Sequence, residues 1–195
     1  MATPVRHADA PPPGAELPCH YVNCFACGPE NSGGLHVELF AAEGLAVTGR
    51  FVVGQAHQGA PGIAHGGILA AMMDELLGSL NWMLMAPSVT IELTTRFRRP
   101  APVDAVLYLS AHVVAVIDGT VHSSGEARLG GGDGEIAVAA KGLFRQVPAD
   151  HFRRHGRPVD VAEARGTAPW RLAAERGVSG GAGTLGAEPL EGYAP

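Results

Sequence analysis

One apolar segment, residues 62–82 (GIAHGGILAAMMDELLGSLNW), constrains the fold of this chain more than any other feature. Its length and pattern predict a helix that is apolar on nearly every side, and such a helix must be covered all round. Asp74 and Glu75 nevertheless stand in its middle. A buried carboxylate is destabilising unless it is paired, so these two acids are the first candidates for a functional role.

Six stretches on either side of this helix carry the signals of β-strands, because they alternate side chains or flank hairpin turns. They are residues 35–40, 45–53, 88–98, 105–117, 120–129 and 135–147. Their order predicts an α+β domain in which an antiparallel β-sheet of five to six strands wraps around one long central helix. A second copy of the chain is expected to cover whatever the sheet leaves open.

The two ends of the 195-residue chain lack this pattern. Residues 1–17 are rich in alanine and proline and predict a disordered N-terminal arm, so the ordered domain is expected over residues 18–147. Residues 148–195 begin basic and then become rich in glycine, alanine and glutamate. They predict an irregular, mobile tail with one or two short helices.

Charge and composition exclude several classes of protein. A formal net charge of −5 provides no basic surface for nucleic acid, and the apolar segment is too short and too acidic to span a membrane. The first residues have no secretory signal pattern, and three cysteines, an odd number, do not suit a disulfide framework. The sequence therefore predicts a cytoplasmic protein.

The apolar helix starts at the glycine pair Gly66 and Gly67. The first N–H groups of a helix have no partner within it, so they favour an anion or a developing oxyanion. Asp74 lies eight residues after Gly66, roughly 12 Å along the axis, which is too far for both to act on one carbon atom. Two antiparallel copies of the helix about a two-fold axis would bring Asp74 of one chain to Gly66 of the other.

The strand at 88–98 adds polar candidates. Strict alternation places Thr90, Arg96 and Arg98 on one face, opposite Phe97. The Thr90 hydroxyl can hold a water or orient a carboxylate, and the arginines suit phosphate. A solvated charged face is the alternative interpretation of the same pattern.

Three segments together resemble a known family: CFACGPENSGGLHVELF, HQGAPGIAHGGILAAMMDE and TIELTTRFRRPAPV. Over residues 23–147 the chain is similar to the hot-dog fold acyl-CoA thioesterases, and most to their phenylacetate-pathway (PaaI-like) group. The resemblance implies the hot-dog fold and the hydrolysis of an acyl-CoA substrate. It also implies homodimers or homotetramers whose active sites are shared between subunits. No cofactor is predicted.

The resemblance further implies catalytic roles. Asp74 matches the acid that serves as general base or nucleophile. The N–H of Gly66, together with that of Gly67, would polarise the thioester carbonyl. Thr90 matches a hydroxyl that assists the water, and His65 belongs to the motif and shapes the loop.

For the substrate, the resemblance implies that Arg96 and Arg98 contact the coenzyme A portion. Met73 is expected to line an acyl tunnel beside the helix, together with neighbouring apolar residues. Glu75 is a rival to Asp74 for the acidic role, since some hot-dog enzymes use glutamate there. Otherwise Glu75 is expected to pair with another residue or lie at the solvent edge, or to contact the substrate.

One position departs from the family pattern. Some members carry asparagine six residues before His65, and here that position is Gly59, with His57 and Gln58 as candidate substitutes. Two other functions stay open, a non-catalytic acyl-CoA binding or sensing protein and a hydratase of enoyl thioesters. The acid at the motif position argues against the first, and the absence of the hydratases' histidine motif argues against the second.

The segment CHYVNCFACG suggests a metal site formed by His20, Cys24 and Cys27. A zinc site normally has a second ligand pair, and none follows at a typical spacing. The sequence therefore predicts no metal here, but a tight turn before the first strand with its thiols packed. A nucleophilic Cys–His pair is a weaker alternative to the carboxylate.

Overall fold

The computed structural model describes residues 4–148 and 150–164, in which β-strands predominate. The strands are β1 (Glu38–Ala41), β2 (Ala46–Val52), β3 (Gln58–Ala60), β4 (Ile63–Ala64), β5 (Ser88–Phe97), β6 (Val106–Ile117), β7 (Thr120–Leu129) and β8 (Glu135–Gln146). The helices are α1 (Gly66–Gly78), α2 (Asn81–Leu84), α3 (Asp150–His155) and α4 (Pro158–Ala164). A single 3₁₀ turn, Gln55–His57, precedes β3 in the described chain.

Six of the strands form one antiparallel sheet in the order β1-β2-β6-β7-β8-β5. The hairpin between β6 and β7 turns at Asp118 and Gly119, whose φ angles of 48° and 72° are those a two-residue hairpin requires. The short strands β3 and β4 pair separately, just before α1. The predicted α+β fold, a large antiparallel sheet around one principal helix, is confirmed.

Helix α1 packs against one face of this sheet. It contributes five buried apolar side chains, Leu69, Met72, Met73, Leu76 and Leu77. They pack with buried residues of β2, β6, β7 and β8 in one continuous core. Asp74 and Glu75 are both only partly exposed on this helix, as the apolar context of the sequence predicts.

Strand β5 forms one edge of the sheet and runs antiparallel to α1. At the start of the helix, a Cβ atom on Gly66 would lie 3.6 Å from the ring of Phe97, and about two turns further along the helix Asp74 accepts a hydrogen bond from Thr90. The outer edge of β5 has no strand partner among the described residues. Ile91 and Phe97 on this strand are each 52% exposed, which is typical of a surface that another chain covers.

The N-terminal arm differs from its prediction in the described part, residues 4–17. Instead of standing free, it runs beside β1: Leu17 donates its N–H to the Leu39 carbonyl, and Ala15 and Ala41 are joined by a similar bond. Leu17 is buried in the core, which accounts for the attachment. Because the arm is rich in alanine and proline, its composition does not indicate that Leu17 attaches it to the core.

The predicted tail is described only up to residue 164, where α3 and α4 are the short helices the sequence suggests. Arg153 and Arg154 pair with Asp150 inside α3, and Tyr21 donates a hydrogen bond to Asp160 of α4. Residues 165–195 of the predicted tail lie outside the described residues. Among the residues described, no helix combines the length and apolar character needed to cross a membrane.

Candidate active site

Asp74 and Thr90 form what we call the acid half-site. The Thr90 hydroxyl donates a hydrogen bond to Asp74 Oδ1 over 3.0 Å. Burial on the apolar helix raises the pKa of Asp74, and the Thr90 hydrogen bond opposes part of that rise. A carboxylate with raised basicity, next to an exposed hydroxyl, is suited to binding a water molecule and accepting its proton.

A β-bulge between Thr90 and Glu92 brings Thr90 to this place. Thr90 is paired with Phe144, which is buried and contacts α1, so Thr90 lies on the helix side of the sheet. After the bulge, Glu92 and Arg96 lie on the opposite side. The prediction from strict alternation, which put Thr90 on the face of Arg96, is therefore wrong.

His65, Gly66 and Gly67 at the start of α1 form what we call the glycine half-site. His65 is the N-cap residue, and its Nδ1 atom accepts the Gly67 N–H over 2.9 Å. The N–H groups of Ile68 and Leu69 are bonded to the His65 carbonyl. The Gly66 N–H has no partner among the described residues, so it alone in this turn is available to an oxyanion. Gly67, predicted as its companion, uses its N–H for the cap.

The loop before the helix accounts for the glycine at position 59. A Cβ atom there would lie 2.8 Å from His65 Cα, so a larger side chain would displace the N-cap residue. His57 Nδ1 accepts the Gly54 N–H, and the Gln58 side chain accepts the N–H of Gly62. Both side chains hold the loop, and their substitution for the family's asparagine stays a prediction.

The predicted substrate contacts fall in two different environments. Arg96 and Arg98 are exposed and have no ion pair in the described chain. They flank Phe97 in the sequence, and the Phe97 ring borders Gly66, but Arg96 lies on the side of the sheet away from the helix. Arg99, the next residue, pairs with Glu135 at 2.5 Å. Met73 is completely buried in the core of this single chain, so its contact with an acyl group stays a prediction.

Glu75 turns away from the acid half-site and faces the loop before β1. Its carboxylate lies 3.9 Å from His20 Nδ1 and 4.0 Å from Cys24 Sγ. Burial raises the pKa of Glu75, and His20 opposes the rise. Hydrogen bonding from the Cys27 thiol, with help from His20, lowers the pKa of Cys24 to about 3. The structure thus joins the second helix acid to the cysteine loop, a connection without any signal in the sequence.

The antiparallel sheet with one principal helix packed on it is the fold found in the hot-dog thioesterases. Residues 61–133, which include both half-sites, match the family model of the thioesterase superfamily. The acyl-coenzyme A thioesterase THEM5 of Homo sapiens is 34% identical over 74 residues, which cover 38% of this chain and 30% of that protein. THEM5 of Mus musculus is 34% identical over 67 residues, 34% of this chain and 27% of that protein. The chain thus spans less than a third of the length of these curated relatives.

Solved structures of similar proteins extend the comparison beyond this segment. A thioesterase superfamily protein, RHA08564, is 28% identical with a TM-score of 0.60, covering 71% of this chain and 70% of that chain. The Escherichia coli PaaI protein, from the phenylacetic acid degradation operon, is 16% identical with a TM-score of 0.53. The aligned region covers 58% of this chain and 80% of the PaaI chain, and this similarity shows the fold alone. The resemblance to the hot-dog thioesterase superfamily is therefore confirmed.

Proposed function

We propose that this protein is an acyl-CoA thioesterase, which converts an acyl-CoA thioester and water into a free acid and coenzyme A. The observation that carries the proposal is the hydrogen bond between Thr90 and the half-buried Asp74. The match of residues 61–133 to the thioesterase superfamily and the THEM5 relatives support it. A cytoplasmic location remains a prediction, with which three free cysteines agree.

In the proposed mechanism, water is bound between the Thr90 hydroxyl and the Asp74 carboxylate. Asp74 accepts a proton from this water as the oxygen attacks the thioester carbonyl; direct attack by Asp74 is the alternative route. The negative charge that develops on the carbonyl oxygen is stabilised by the Gly66 N–H and the positive end of the helix dipole. The intermediate then collapses with cleavage of the C–S bond, and the departing coenzyme A thiolate takes the proton back from Asp74, which restores the carboxylate base.

We further propose that each active site is shared between two chains. Eight residues of helix separate Gly66 from Asp74, roughly 12 Å along the axis, so the half-sites of one chain cannot reach the same carbonyl. The open edge of β5, with exposed Ile91 and Phe97, is a surface on which a second copy can pack about a two-fold axis. This arrangement gives a homodimer, or a dimer of dimers, with two equivalent sites.

In such a dimer, Arg96 and Arg98 lie on either side of Phe97, the residue whose ring borders the glycine half-site of the same chain. They bear no ion pair in the described chain, so their guanidinium groups are available to an anionic partner at this edge of the sheet. Bidentate hydrogen bonds from arginine suit phosphate oxygens well. We propose that these arginines bind the coenzyme A portion, while Met73 and its apolar neighbours border the acyl chain.

The test is a panel of acyl-CoA substrates with release of free thiol as the readout. Asp74→Asn keeps the acceptor for Thr90 but removes the base, so kcat is expected to fall about 10²–10⁴-fold. Asp133→Asn, in an exposed turn, is the matched control and should retain wild-type turnover. Unchanged turnover in Asp74→Asn would move the acidic role to Glu75. Saturable binding without thiol release from any substrate would favour the non-catalytic binding protein instead.

A further inference from the structure

Four side chains with metal-binding atoms converge between the loop before β1 and the middle of α1. They are His20, Cys24 and Cys27 from the loop and Glu75 from the helix, all partly buried. One ligand atom from each lies within 4.8 Å of all the others. The loop alone provides three ligands, and the fold brings the fourth from a residue some fifty positions along the chain.

The distances within this cluster approach those of a tetrahedral metal site. Zinc bonds of 2.0–2.3 Å to nitrogen, oxygen and sulfur separate neighbouring ligand atoms by about 3.5 Å. Here Cys27 Sγ lies 3.3 Å from His20 Nδ1, and Nδ1 lies 3.9 Å from a Glu75 oxygen. The other Glu75 oxygen lies 4.0 Å from Cys24 Sγ. Since all four ligand atoms lie within 4.8 Å of one another, side-chain shifts of up to about 1 Å would bring them to the roughly 3.5 Å separations of a tetrahedral site.

The turn between the two cysteines is built to present both thiols on one side. The Gly28 N–H donates to the Cys24 carbonyl over 2.9 Å, and the Ala26 N–H points at Cys24 Sγ over 3.4 Å. A Cβ atom on Gly28 would lie 2.4 Å from the Cys24 nitrogen, so only glycine fits there. An N–H directed at sulfur stabilises a thiolate, the form in which cysteine binds metal.

We propose that His20, Cys24, Cys27 and Glu75 bind one Zn²⁺ ion. Two sulfurs, an imidazole nitrogen and a carboxylate oxygen form a donor set suited to zinc, whereas magnesium and calcium require oxygen. Four protein ligands leave no open position, which defines a structural rather than a catalytic site. The ion fixes the loop before β1 to the helix turn that also carries Asp74.

This inference is independent of the thioesterase proposal, because it rests on side chains that the proposed mechanism does not use. Three of the four ligands also lie outside residues 61–133, the segment that matches the family model. Cys19 is the neighbouring cysteine used for comparison: its thiol donates to the Tyr21 carbonyl over 2.9 Å, and although it borders Cys27 it is not a member of the four-residue cluster.

The experiment is to express the full chain with added zinc, purify it under reducing conditions without chelator, and measure metal per chain by mass spectrometry. Wild type and Cys19→Ser are expected to contain about one zinc each, as one four-ligand site requires. Cys24→Ser and Cys27→Ser should lose most of it. Metal-free wild type that takes up no zinc from a chromophoric chelator would overturn the proposal, as would full zinc content in Cys24→Ser.

A second measurement keeps the proposal testable if a cysteine variant does not fold, which circular dichroism would reveal. Wild type reloaded with Co²⁺ should show a sulfur-to-cobalt charge-transfer band and the strong visible bands of a tetrahedral site. Glu75→Gln should weaken Co²⁺ binding while the charge-transfer band persists. Co²⁺ bound without a sulfur band would refute the ligand assignment.

Discussion

Replacing Gly66 by proline removes one N–H from the glycine half-site and changes little else. Gly66 is the first residue of α1, the helical position at which proline is favoured. His65 before it has φ −67° and ψ 136°, the extended conformation that a residue preceding proline adopts. A Cβ atom at position 66 makes only an ordinary 3.6 Å contact with Phe97. The substitution therefore tests the donor and not the fold.

The expected loss follows from the hydrogen bonds of this turn. The N–H groups of Gly67, Ile68 and Leu69 are already bonded to His65, so no neighbouring donor is free to replace that of Gly66. Loss of one oxyanion donor lowers kcat about 10²–10³-fold, or about 2.7–4 kcal/mol of transition-state stabilisation. Gly66→Ala retains the N–H and should keep most of the activity, although alanine places a methyl group beside Phe97.

The assay combines steady-state thiol release with subunit mixing. If sites are shared, a mixed dimer of Gly66→Pro and Asp74→Asn chains holds one site with both changes and one with neither. Random pairing of equal amounts then restores about a quarter of the wild-type activity, although both parents are inactive. Co-expression with two affinity tags would isolate the mixed dimer, which should have half of the wild-type sites.

Two results would contradict this reasoning in different ways. Equal turnover by Gly66→Pro and Gly66→Ala would show that the Gly66 N–H does not polarise the carbonyl. Mixed dimers no more active than their parents, with both parents impaired, would place the complete site within one chain and refute the shared arrangement.

Two further predictions concern Thr90 and the loop before α1. Thr90→Val removes the hydrogen bond to Asp74 without changing the side-chain volume, so kcat is expected to fall about tenfold. Thr90→Ser keeps the hydroxyl and should have a kcat near that of wild type. Equal kcat values for the valine and serine variants would exclude an orienting role for Thr90. Burial, together with nearby His36, lowers the pKa of His57 in the folded chain. As the pH falls below about 6.5, the unfolded chain therefore binds a proton at His57 before the folded chain does. The free energy of unfolding decreases over this range, until the pH has passed through the folded pKa. Thermal melting of wild type should therefore decline more steeply over this range than that of His57→Gln, and parallel declines would contradict it.

Much of the fold could be predicted because its signals are local. The hairpin at Asp118–Gly119 needs two residues with positive φ, and the sequence places an Asp-Gly pair there. The predicted bounds of β6 and β7 therefore agree with the structure to within a residue. The uninterrupted apolar face of α1 likewise required a covering sheet whatever the details of pairing. The glycine pair marked the start of the helix, and the structure begins α1 at Gly66.

The features that sequence reasoning missed depend on contacts between distant residues. The bulge in β5 reverses the side on which Thr90 lies, and nothing in the residues 88–97 marks where the alternation breaks. The link from Glu75 to Cys24 joins a helix to a loop far back in the chain. A rule based on ligand spacing finds only pairs that are close in sequence, so it could not supply Glu75 as the fourth member of the cysteine cluster.

The two adjacent carboxylates have different surroundings because their side chains leave the helix in directions about 100° apart, since an α-helix has 3.6 residues per turn. Asp74 points to Thr90 at the open edge of the sheet, and Glu75 to the cysteine loop. Burial disfavours the charge of Asp74 in the folded chain, and one hydroxyl does not compensate for it fully. Asp74→Asn keeps the acceptor and removes the charge, so its free energy of unfolding should equal or exceed that of wild type while turnover is lost. A less stable Asp74→Asn protein would mean that the carboxylate serves the fold, and chemical denaturation of the two purified proteins distinguishes these outcomes.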